Sequence, residues 1–141
     1  MITRTADAHW AGDLKAGKGS IKLGSGAFEG PYSFSSRFEG TKEANPEELL
    51  GAAHAGCFSM ALASGLSKAG HVVTSVHTTA TVTLAKGDAG FSISGILLKT
   101  EAKVPGLSAA EFQKFAEDTK LNCIVSRALA SVPTTLDAKL V

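Results

Sequence analysis

The sequence predicts an α+β fold, and three observations favour it. Glycine-rich, β-prone runs fill the first 40 residues, and a long helical pattern begins at Pro46. Two long β-branched runs then precede a second helical pattern. Strands and helices grouped in this way along a chain are typical of α+β proteins. A length of 141 residues is enough for about one domain with its own core.

The first 40 residues are predicted to form a meander of strands. Its three β-prone runs read AHWAG, GSIKLGS and YSFSSRFEG. Glycines at Gly17–Gly19 and Gly24–Gly26 separate these runs and are expected to form the turns.

A long helix is predicted from Pro46 to Ala69. Asn45 is a good N-cap, Pro46 suits the first helical position, and Glu48 lies three residues after the cap. Gly70 is expected to end the helix at the C′ position. The 24 residues would extend about 36 Å. Because this helix is apolar nearly all round, we expect it to be buried centrally or against a partner chain.

The second half of the chain is predicted to contain a hairpin, two helices and a last strand. The runs VVTSVHTTATVTLAK and GFSISGILLKTEAKV meet at GDAG, which is a strong hairpin signal. In SAAEFQKFAEDTKL, Ser108 and Glu111 have capping-box spacing. A short helix is expected from about Asn122 to just before Pro133, and TTLDAKLV is expected to be a strand.

Charge and hydropathy argue against nucleic acid and membranes as partners. Fourteen basic and 13 acidic residues leave a net charge of +1, with no basic run. The N-terminal residues lack an apolar secretory segment, so we expect a cytoplasmic protein. The apolar stretch from Leu49 to Leu66 contains His54, Ser59 and Ser64, and its polarity favours a buried core helix over a membrane span.

The two cysteines are the first candidates for reactive residues in this sequence. Cys57 and Cys123 are 66 residues apart and match neither a zinc pattern nor a Cys-x-x-Cys redox motif. Cys57 lies mid-helix among apolar neighbours, which should raise its pKa, so a reactive thiolate would need a cation from another element. If Asn122 caps the short helix, Cys123 lies in its first turn, where the dipole favours a thiolate. Inert packing and nucleophilic chemistry both remain open.

His54 lies three residues before Cys57 and therefore next to it on the helix surface. It could be a satisfied core histidine, an ion-pair partner of a thiolate, or half of a metal site. A zinc site would need two further ligands. Cys123 could be one, but the remaining histidines fall at no recognisable spacing with it, so we expect no metal: His9, His71 and His77.

Three segments of the chain resemble the OsmC/Ohr family of bacterial osmotically inducible and organic hydroperoxide resistance proteins. They read AHWAGDLKAGKGS, SRFEGTKEANPEELLGAAHAGCFSMAL and LNCIVSRAL, and the likeness is closest to the OsmC branch. The resemblance covers essentially the whole chain. It implies one OsmC-like peroxidase domain over residues 1–141, with antiparallel sheets around a long central helix. It also implies an intertwined homodimer with both active sites at the subunit interface.

The resemblance further implies a thiol-dependent peroxidase of oxidative and osmotic stress defence. Such an enzyme reduces organic hydroperoxides, in preference to hydrogen peroxide, to alcohols through a cysteine sulfenic acid and an intramolecular disulfide. The family's peroxidatic cysteine corresponds to Cys57, its resolving cysteine to Cys123, its arginine to Arg37 and its glutamate to Glu47. No cofactor is implied, but the resemblance implies an external dithiol reductant and points to one of the lipoyl type.

Two features of the sequence bear on this expectation. Ile124 stands where family members commonly have a proline, which would fix φ at the helix start. Without that proline, the sequence does not determine how tightly the Cys123 side chain is oriented toward Cys57. The apolar residues Phe58, Met60 and Leu62 could line a substrate funnel or simply pack in the core.

The spacing of Glu47 and Cys57 predicts a site shared between two chains. Arg37 would supply the missing cation, and Glu47 would hold it in a bidentate pair. Ten residues of continuous helix separate Glu47 from Cys57 by about 15 Å. Either the helix breaks or Glu47 serves Cys57 of the partner subunit, and we predict the second. The alternative function is a non-catalytic dimeric stress or binding protein with silent cysteines.

Overall fold

Two compact units, Met1–Leu49 and Leu50–Val141, make up the protein, and the computed structural model describes residues Met1–Val141. Each unit contains one three-stranded sheet, ordered β1-β2-β3 in the first and β4-β5-β6 in the second. The elements in chain order are β1 (Ala6–Ala11), β2 (Lys18–Leu23), β3 (Glu29–Tyr32), α1 (Phe34–Phe38), α2 (Pro46–Lys68), β4 (Ser75–Gly87), β5 (Gly90–Lys103), α3 (Ala109–Asn122), α4 (Ile124–Ala128) and β6 (Thr134–Leu140).

The predicted strand meander forms the antiparallel sheet of the first unit. Its first turn differs from the prediction, because Gly19 lies inside β2 and the chain reverses before it. Gly19 pairs with Trp10 on one side and Tyr32 on the other. The Trp10 and Tyr32 rings lie 5.3 Å apart, and a Cβ at residue 19 would collide with the Tyr32 ring. Glycine is therefore required there for ring packing rather than for a turn.

The third β-prone run contains a helix, so its prediction as a strand was wrong. β3 ends at Tyr32, and α1 occupies Phe34–Phe38. Ser33 caps α1 by accepting the N–H of Ser36 at 3.1 Å, while Ser36 Oγ accepts the N–H of Ser33 at 2.9 Å. These reciprocal bonds satisfy N–H groups that a helix start leaves free, and they stabilise a helix in a segment with strand-like composition.

Helix α2 confirms the predicted long helix and ends one residue earlier than expected. Asn45 accepts the N–H of Glu48 at 2.8 Å, and Gly70 adopts a φ of +90° after the last turn. The helix is not buried on all sides. Met60 is 77% exposed, whereas side chains four residues apart on the core-facing side are fully buried: His54, Phe58, Leu62 and Leu66.

By length and composition, α2 could cross a membrane. Its mean hydropathy reaches 1.4 over 18 residues, so polarity alone does not decide between a core helix and a membrane span. One such helix is weak evidence, because the core helix of a soluble protein passes the same test.

The sheet of the second unit is mixed rather than antiparallel. β4 and β5 form the predicted hairpin, which closes between Gly87 and Gly90. β6 pairs with β5 in parallel, from Ile96↔Thr134 to Ala102↔Leu140. The expectation of purely antiparallel sheets was therefore wrong. α3 and α4 connect the end of β5 to β6 and return the chain to the start of β5, the kind of crossover that a parallel pair requires.

The core of the second unit lies between α2, α3 and β5. Phe112 and Ala116 of α3 are fully buried, and Phe115 lies beside α2, where a Cβ at Gly65 would be 3.9 Å from its ring. From α2 and β5, the core receives Phe58, Leu62, Leu66, Ile96, Leu98 and Ala102. This packing fixes the cysteine-bearing turn of α2 against the end of α3.

The junction between α3 and α4 differs from the prediction by one residue. Asn122 is the last residue of α3, and its amide donates back to the Asp118 carbonyl at 3.0 Å instead of capping α4. Cys123 is itself the N-cap of α4, with Sγ accepting the N–H of Ser126 at 3.3 Å. α4 ends at Ala128, earlier than expected.

Removing the α3 cap should destabilise the protein moderately. Ser108 Oγ accepts the N–H of Glu111, and Glu111 in turn accepts the N–H of Ser108, both at 3.3 Å. Ser108→Ala should lower the free energy of unfolding by about 1 kcal/mol, because it leaves an N–H of the first turn unsatisfied. Urea denaturation measures this loss, and Ser92→Ala, at an exposed β5 position, should show almost none. An equal loss in both variants would contradict the capping role.

Candidate active site

The two cysteines meet where α4 begins. Cys57 is half-buried on α2, Cys123 is only 3% exposed, and both are free thiols. The first N–H groups of α4 point at the sulfur atoms: Val125 N–H donates to Cys57 Sγ at 3.5 Å, and Ser126 N–H donates to Cys123 Sγ. These donors have no partner within the helix, so the sulfurs satisfy them.

The surroundings of Cys57 favour the neutral thiol. Burial raises the pKa of Cys57, as expected from the sequence, and the adjacent Cys123 thiol raises it further. The backbone N–H groups of Val125 and Ile124 partly offset this rise in pKa. Since only the thiolate is nucleophilic, a further positive charge would have to act on Cys57 for efficient chemistry.

His54 is buried completely and bonded on one side only. Its Nε2 lies 2.7 Å from Ser126 Oγ, while Nδ1 is buried without a partner. Burial lowers the pKa of His54 below its usual 6.5, so the ring is neutral at neutral pH. His54 is thus a core histidine, satisfied at one nitrogen, and not the cation that a Cys57 thiolate needs.

Ser126 was missed by the sequence reasoning. Its hydroxyl lies 3.1 Å from Cys123 Sγ as well as close to His54. The available signal was the Cys-x-x-Ser spacing from Cys123, which matches an N-cap residue and the third position of the helix that follows. The structure contains no group of three or more His, Cys, Asp and Glu side chains that could hold a metal ion.

Arg37 and Glu47 form a second charged cluster, within the first unit. Arg37 Nε and Nη2 both donate to Glu47 Oε1, at 3.0 and 2.8 Å. Both donors share one oxygen, whereas a fork-to-fork bidentate pair uses two, and Glu47 Oε2 is buried without a partner. The Glu47 side chain is 11% exposed and that of Arg37 is 42% exposed. The carboxylate therefore anchors a guanidinium that remains accessible.

The structure thus brings the four predicted site residues together as two pairs. Arg37 lies with Glu47, and Cys57 lies with Cys123. α2 is unbroken between Glu47 and Cys57. A broken helix, one of the two alternatives left open by their spacing, is therefore absent.

The predicted apolar funnel is divided between core and surface. Phe58 and Leu62 are fully buried in the core of the second unit, so they cannot line an open channel there. Met60, one turn after Cys57, remains exposed. Ile124, which directly follows Cys123, is also 77% exposed. Met60 and Ile124 are therefore the exposed large apolar side chains nearest in sequence to the two thiols.

The chain matches known proteins over nearly its full length. The family model described as OsmC-like protein matches residues 39–137. Peroxiredoxin OsmC of Escherichia coli K12 is 50% identical over 140 residues, covering 99% of this chain and 97% of the relative.

Solved structures show that the fold is shared. An organic hydroperoxide resistance protein OsmC from Legionella pneumophila superposes with a TM-score of 0.73 at 21% identity, covering 99% of this chain and 97% of the other. OhrB of Bacillus subtilis gives 0.72 at 22% identity, covering 96% and 98%. The α+β architecture, with two small sheets and a long helix, is that of OsmC and Ohr proteins. The chain belongs to the OsmC family and is an enzyme of the peroxidase type.

Proposed function

We propose that this enzyme reduces organic hydroperoxides to alcohols, in preference to hydrogen peroxide, through Cys57 and Cys123. The observation that carries the proposal is the pairing of two free thiols with unequal exposure at the start of α4. A half-buried Cys57 can meet a peroxide, while a buried Cys123 is protected from it yet adjacent to the product of the first step. Cysteines that react with peroxides are typically accessible and often lie next to a resolving cysteine, as Cys57 lies next to Cys123.

The first step oxidises Cys57. Its thiolate attacks the distal oxygen of ROOH, the O–O bond breaks, and the alkoxide leaves as the alcohol after taking up a proton. Cys57 becomes a sulfenic acid. Val125 N–H, which donates to Cys57 Sγ in the thiol form, also stabilises negative charge on that sulfur.

The second step joins the two sulfurs. Cys123 attacks the Cys57 sulfenic acid, an intramolecular disulfide forms, and water leaves. This reaction protects Cys57 from irreversible oxidation to the sulfinic acid. An external dithiol then restores both thiols by disulfide exchange, and we propose a lipoyl-type dithiol on the basis of the family resemblance. No cofactor takes part in this cycle.

Arg37 is proposed to supply the positive charge that Cys57 lacks. A guanidinium near the sulfur favours the thiolate and then stabilises charge on the departing oxygen. Its carboxylate anchor supports this role, because Glu47 fixes two of the five N–H donors and leaves the others available.

A homodimer with shared active sites is proposed to bring the two pairs together. Glu47 and Cys57 lie about 15 Å apart along one unbroken helix, too far to serve one site. Arg37 and Glu47 would therefore act on Cys57 of the partner subunit. Only 28% of the most apolar stretch of α2 is buried in the single chain, so a second copy would have apolar surface to cover.

The preference for organic substrates is supported by the surface beside the thiols. Met60 and Ile124 are exposed apolar side chains next to Cys57 and Cys123, and they would contact the R group of ROOH. Hydrogen peroxide has no such group. The names of the Legionella and Bacillus structures, both organic hydroperoxide resistance proteins, support the same assignment. We place the activity in oxidative and osmotic stress defence, within one functional domain over residues 1–141.

Counting free thiols after peroxide treatment tests the proposal. Reduced protein receives one equivalent of cumene hydroperoxide or of hydrogen peroxide, and free thiols are counted in samples quenched over seconds. Both thiols should disappear together, and faster with cumene hydroperoxide. Cys57→Ser should leave Cys123 unreacted. Unchanged thiols in the wild type would favour a non-catalytic protein with silent cysteines, and equal rates with both peroxides would contradict the organic preference.

A further inference from the structure

We propose that His54 is a positioning residue that, through Ser126, accepts the proton which Cys123 loses when it attacks oxidised Cys57. The inference rests on the proposed function and assigns a role to a buried group which that function does not use. His54 Nε2 lies 2.7 Å from Ser126 Oγ, and the same oxygen lies 3.1 Å from Cys123 Sγ. The three groups form one continuous hydrogen-bonded chain.

This hydrogen-bonded chain would give the Cys123 thiol a proton acceptor that its surroundings otherwise lack. It is 3% exposed, so bulk water cannot readily take its proton. The Ser126 N–H donates to Cys123 Sγ at 3.3 Å and would stabilise the thiolate once formed, but an N–H group cannot accept a proton. A neutral imidazole can, and burial lowers the pKa of His54, which keeps the ring neutral at physiological pH.

The unpartnered nitrogen of His54 argues against a purely structural role. Nδ1 is buried without a hydrogen bond, which costs free energy that an apolar side chain at this position would avoid. Most buried polar groups in native proteins are paired, so a half-satisfied histidine beside a functional thiol calls for a reason. Proton transfer to Nε2 is one.

The proposed step balances as a proton transfer coupled to disulfide formation. The Cys123 thiol proton passes to Ser126 Oγ while the Ser126 hydroxyl proton passes to His54 Nε2. Cys123 Sγ attacks the sulfenic sulfur of Cys57, so the S–S bond forms and the S–O bond breaks. The departing hydroxide takes up the proton that His54 accepted, returned through Ser126, and leaves as water, so His54 is neutral again and no net proton is gained or lost. The hydroperoxide that oxidised Cys57 is the only oxidant needed.

Few other titratable side chains can face the hydrogen-bonded chain of Cys123, Ser126 and His54. Cys57 lies on α2 itself, one turn from His54. On the α3–α4 side, the charged residues Lys120 and Arg127 line the same surface cavity as Ser126, and Lys120 is paired with Glu117 at 3.0 Å. The sheet residues that face α2 do not titrate: Val76, Thr78, Ala80, Val82, Ile96, Leu98, Thr100 and Ala102.

The pH dependence of disulfide closure distinguishes the relay from a structural role. Protein with Cys57 freshly oxidised by one equivalent of cumene hydroperoxide is quenched at intervals between pH 6 and 8, and disulfide is measured by intact mass after thiol blocking. The wild-type closure rate should change less than about threefold between pH 7 and 8, where the lowered pKa keeps His54 neutral and able to accept the proton. In Ser126→Ala, closure should rise about tenfold per pH unit, following the thiolate fraction of an unassisted thiol.

Two further variants and one control complete the test. Ser126→Thr keeps the hydroxyl and should restore the flat profile, whereas His54→Gln should show the steep one. Ser126→Ala leaves the buried histidine in place, so the test holds even if His54→Gln fails to fold. As the control, Ser59→Ala removes a hydroxyl of α2 that bonds to Thr78 at 2.8 Å and is not part of the Cys123–Ser126–His54 chain, so it should keep the wild-type profile.

Parallel profiles for the wild type and Ser126→Ala, or a tenfold rise per pH unit in the wild type itself, would overturn the relay. Trapping the Cys57 sulfenic acid with dimedone in Cys123→Ser tests the earlier step independently. Normal trapping together with parallel profiles means that the relay is wrong and the peroxidase assignment stands. Absence of trapping overturns the proposed function and this inference with it.

Discussion

Cys57→Ser should abolish turnover of organic hydroperoxides, whereas Cys123→Ser should complete one turnover and then stop. A serine hydroxyl stays protonated at neutral pH and cannot carry the oxygen that sulfur accepts, so no step of the cycle remains without Cys57. Without Cys123, the sulfenic acid forms but finds no second thiol in the chain, because the two cysteines are the only ones present. Excess peroxide should then drive Cys57 to the sulfinic acid.

Two measurements separate these outcomes. Alcohol release, measured in a single mixing experiment with one equivalent of peroxide and no reductant, should equal one per chain in the wild type and in Cys123→Ser, and zero in Cys57→Ser. Intact mass should show a gain of one oxygen atom only in Cys123→Ser, and a second oxygen when the peroxide is in excess. Because Cys123 packs in the core at 3% exposure, thermal melting of each variant serves as the folding control. Equal alcohol release from Cys57→Ser and the wild type would rule out Cys57 as the peroxidatic residue.

Arg37→Met should slow Cys57 oxidation by about 10²- to 10³-fold. Removing one group that stabilises charge in a transition state typically costs this much. The pKa of Cys57 is already raised by burial, so loss of a nearby cation would also reduce the thiolate fraction at neutral pH. Arg37→Lys should recover only part of the rate, because an ammonium cannot place two donors on Glu47 Oε1 as the guanidinium does. The rate is measured by stopped-flow mixing with cumene hydroperoxide.

The pH profile and a subunit-mixing experiment identify how Arg37 acts. In Arg37→Met, the rate should keep rising at pH values where the wild-type rate has levelled, because the thiol pKa is higher. Arg4→Met removes an exposed guanidinium that bonds only to the neighbouring Thr3 carbonyl, and it should behave as the wild type. Mixed dimers of Arg37→Met and Cys57→Ser chains should regain one working site if the site is shared. No recovery in verified mixed dimers would mean that both residues serve within one chain.

Local signals were sufficient for several elements of this fold. The start and end of α2 follow from Asn45, Pro46 and Gly70, whose effects depend only on residues within one turn. The β4–β5 hairpin follows from β-branched runs and a tight glycine-flanked turn. The capping box of α3 is another contact between residues three apart. For the candidate site, the sequence located both thiols, and the family resemblance supplied the roles that are proposed for Arg37 and Glu47.

Other features depend on contacts between distant parts of the chain, and only the tertiary structure decided them. α2 is apolar almost all round, so its composition could not say that the His54–Leu66 stripe faces the core. The parallel direction of β6 results from the crossover through α3 and α4. The bond from His54 to Ser126 joins residues 72 positions apart. Local patterns encode hydrogen bonds within a turn, whereas the partners of a buried side chain are chosen by packing between elements, which no short stretch of sequence contains.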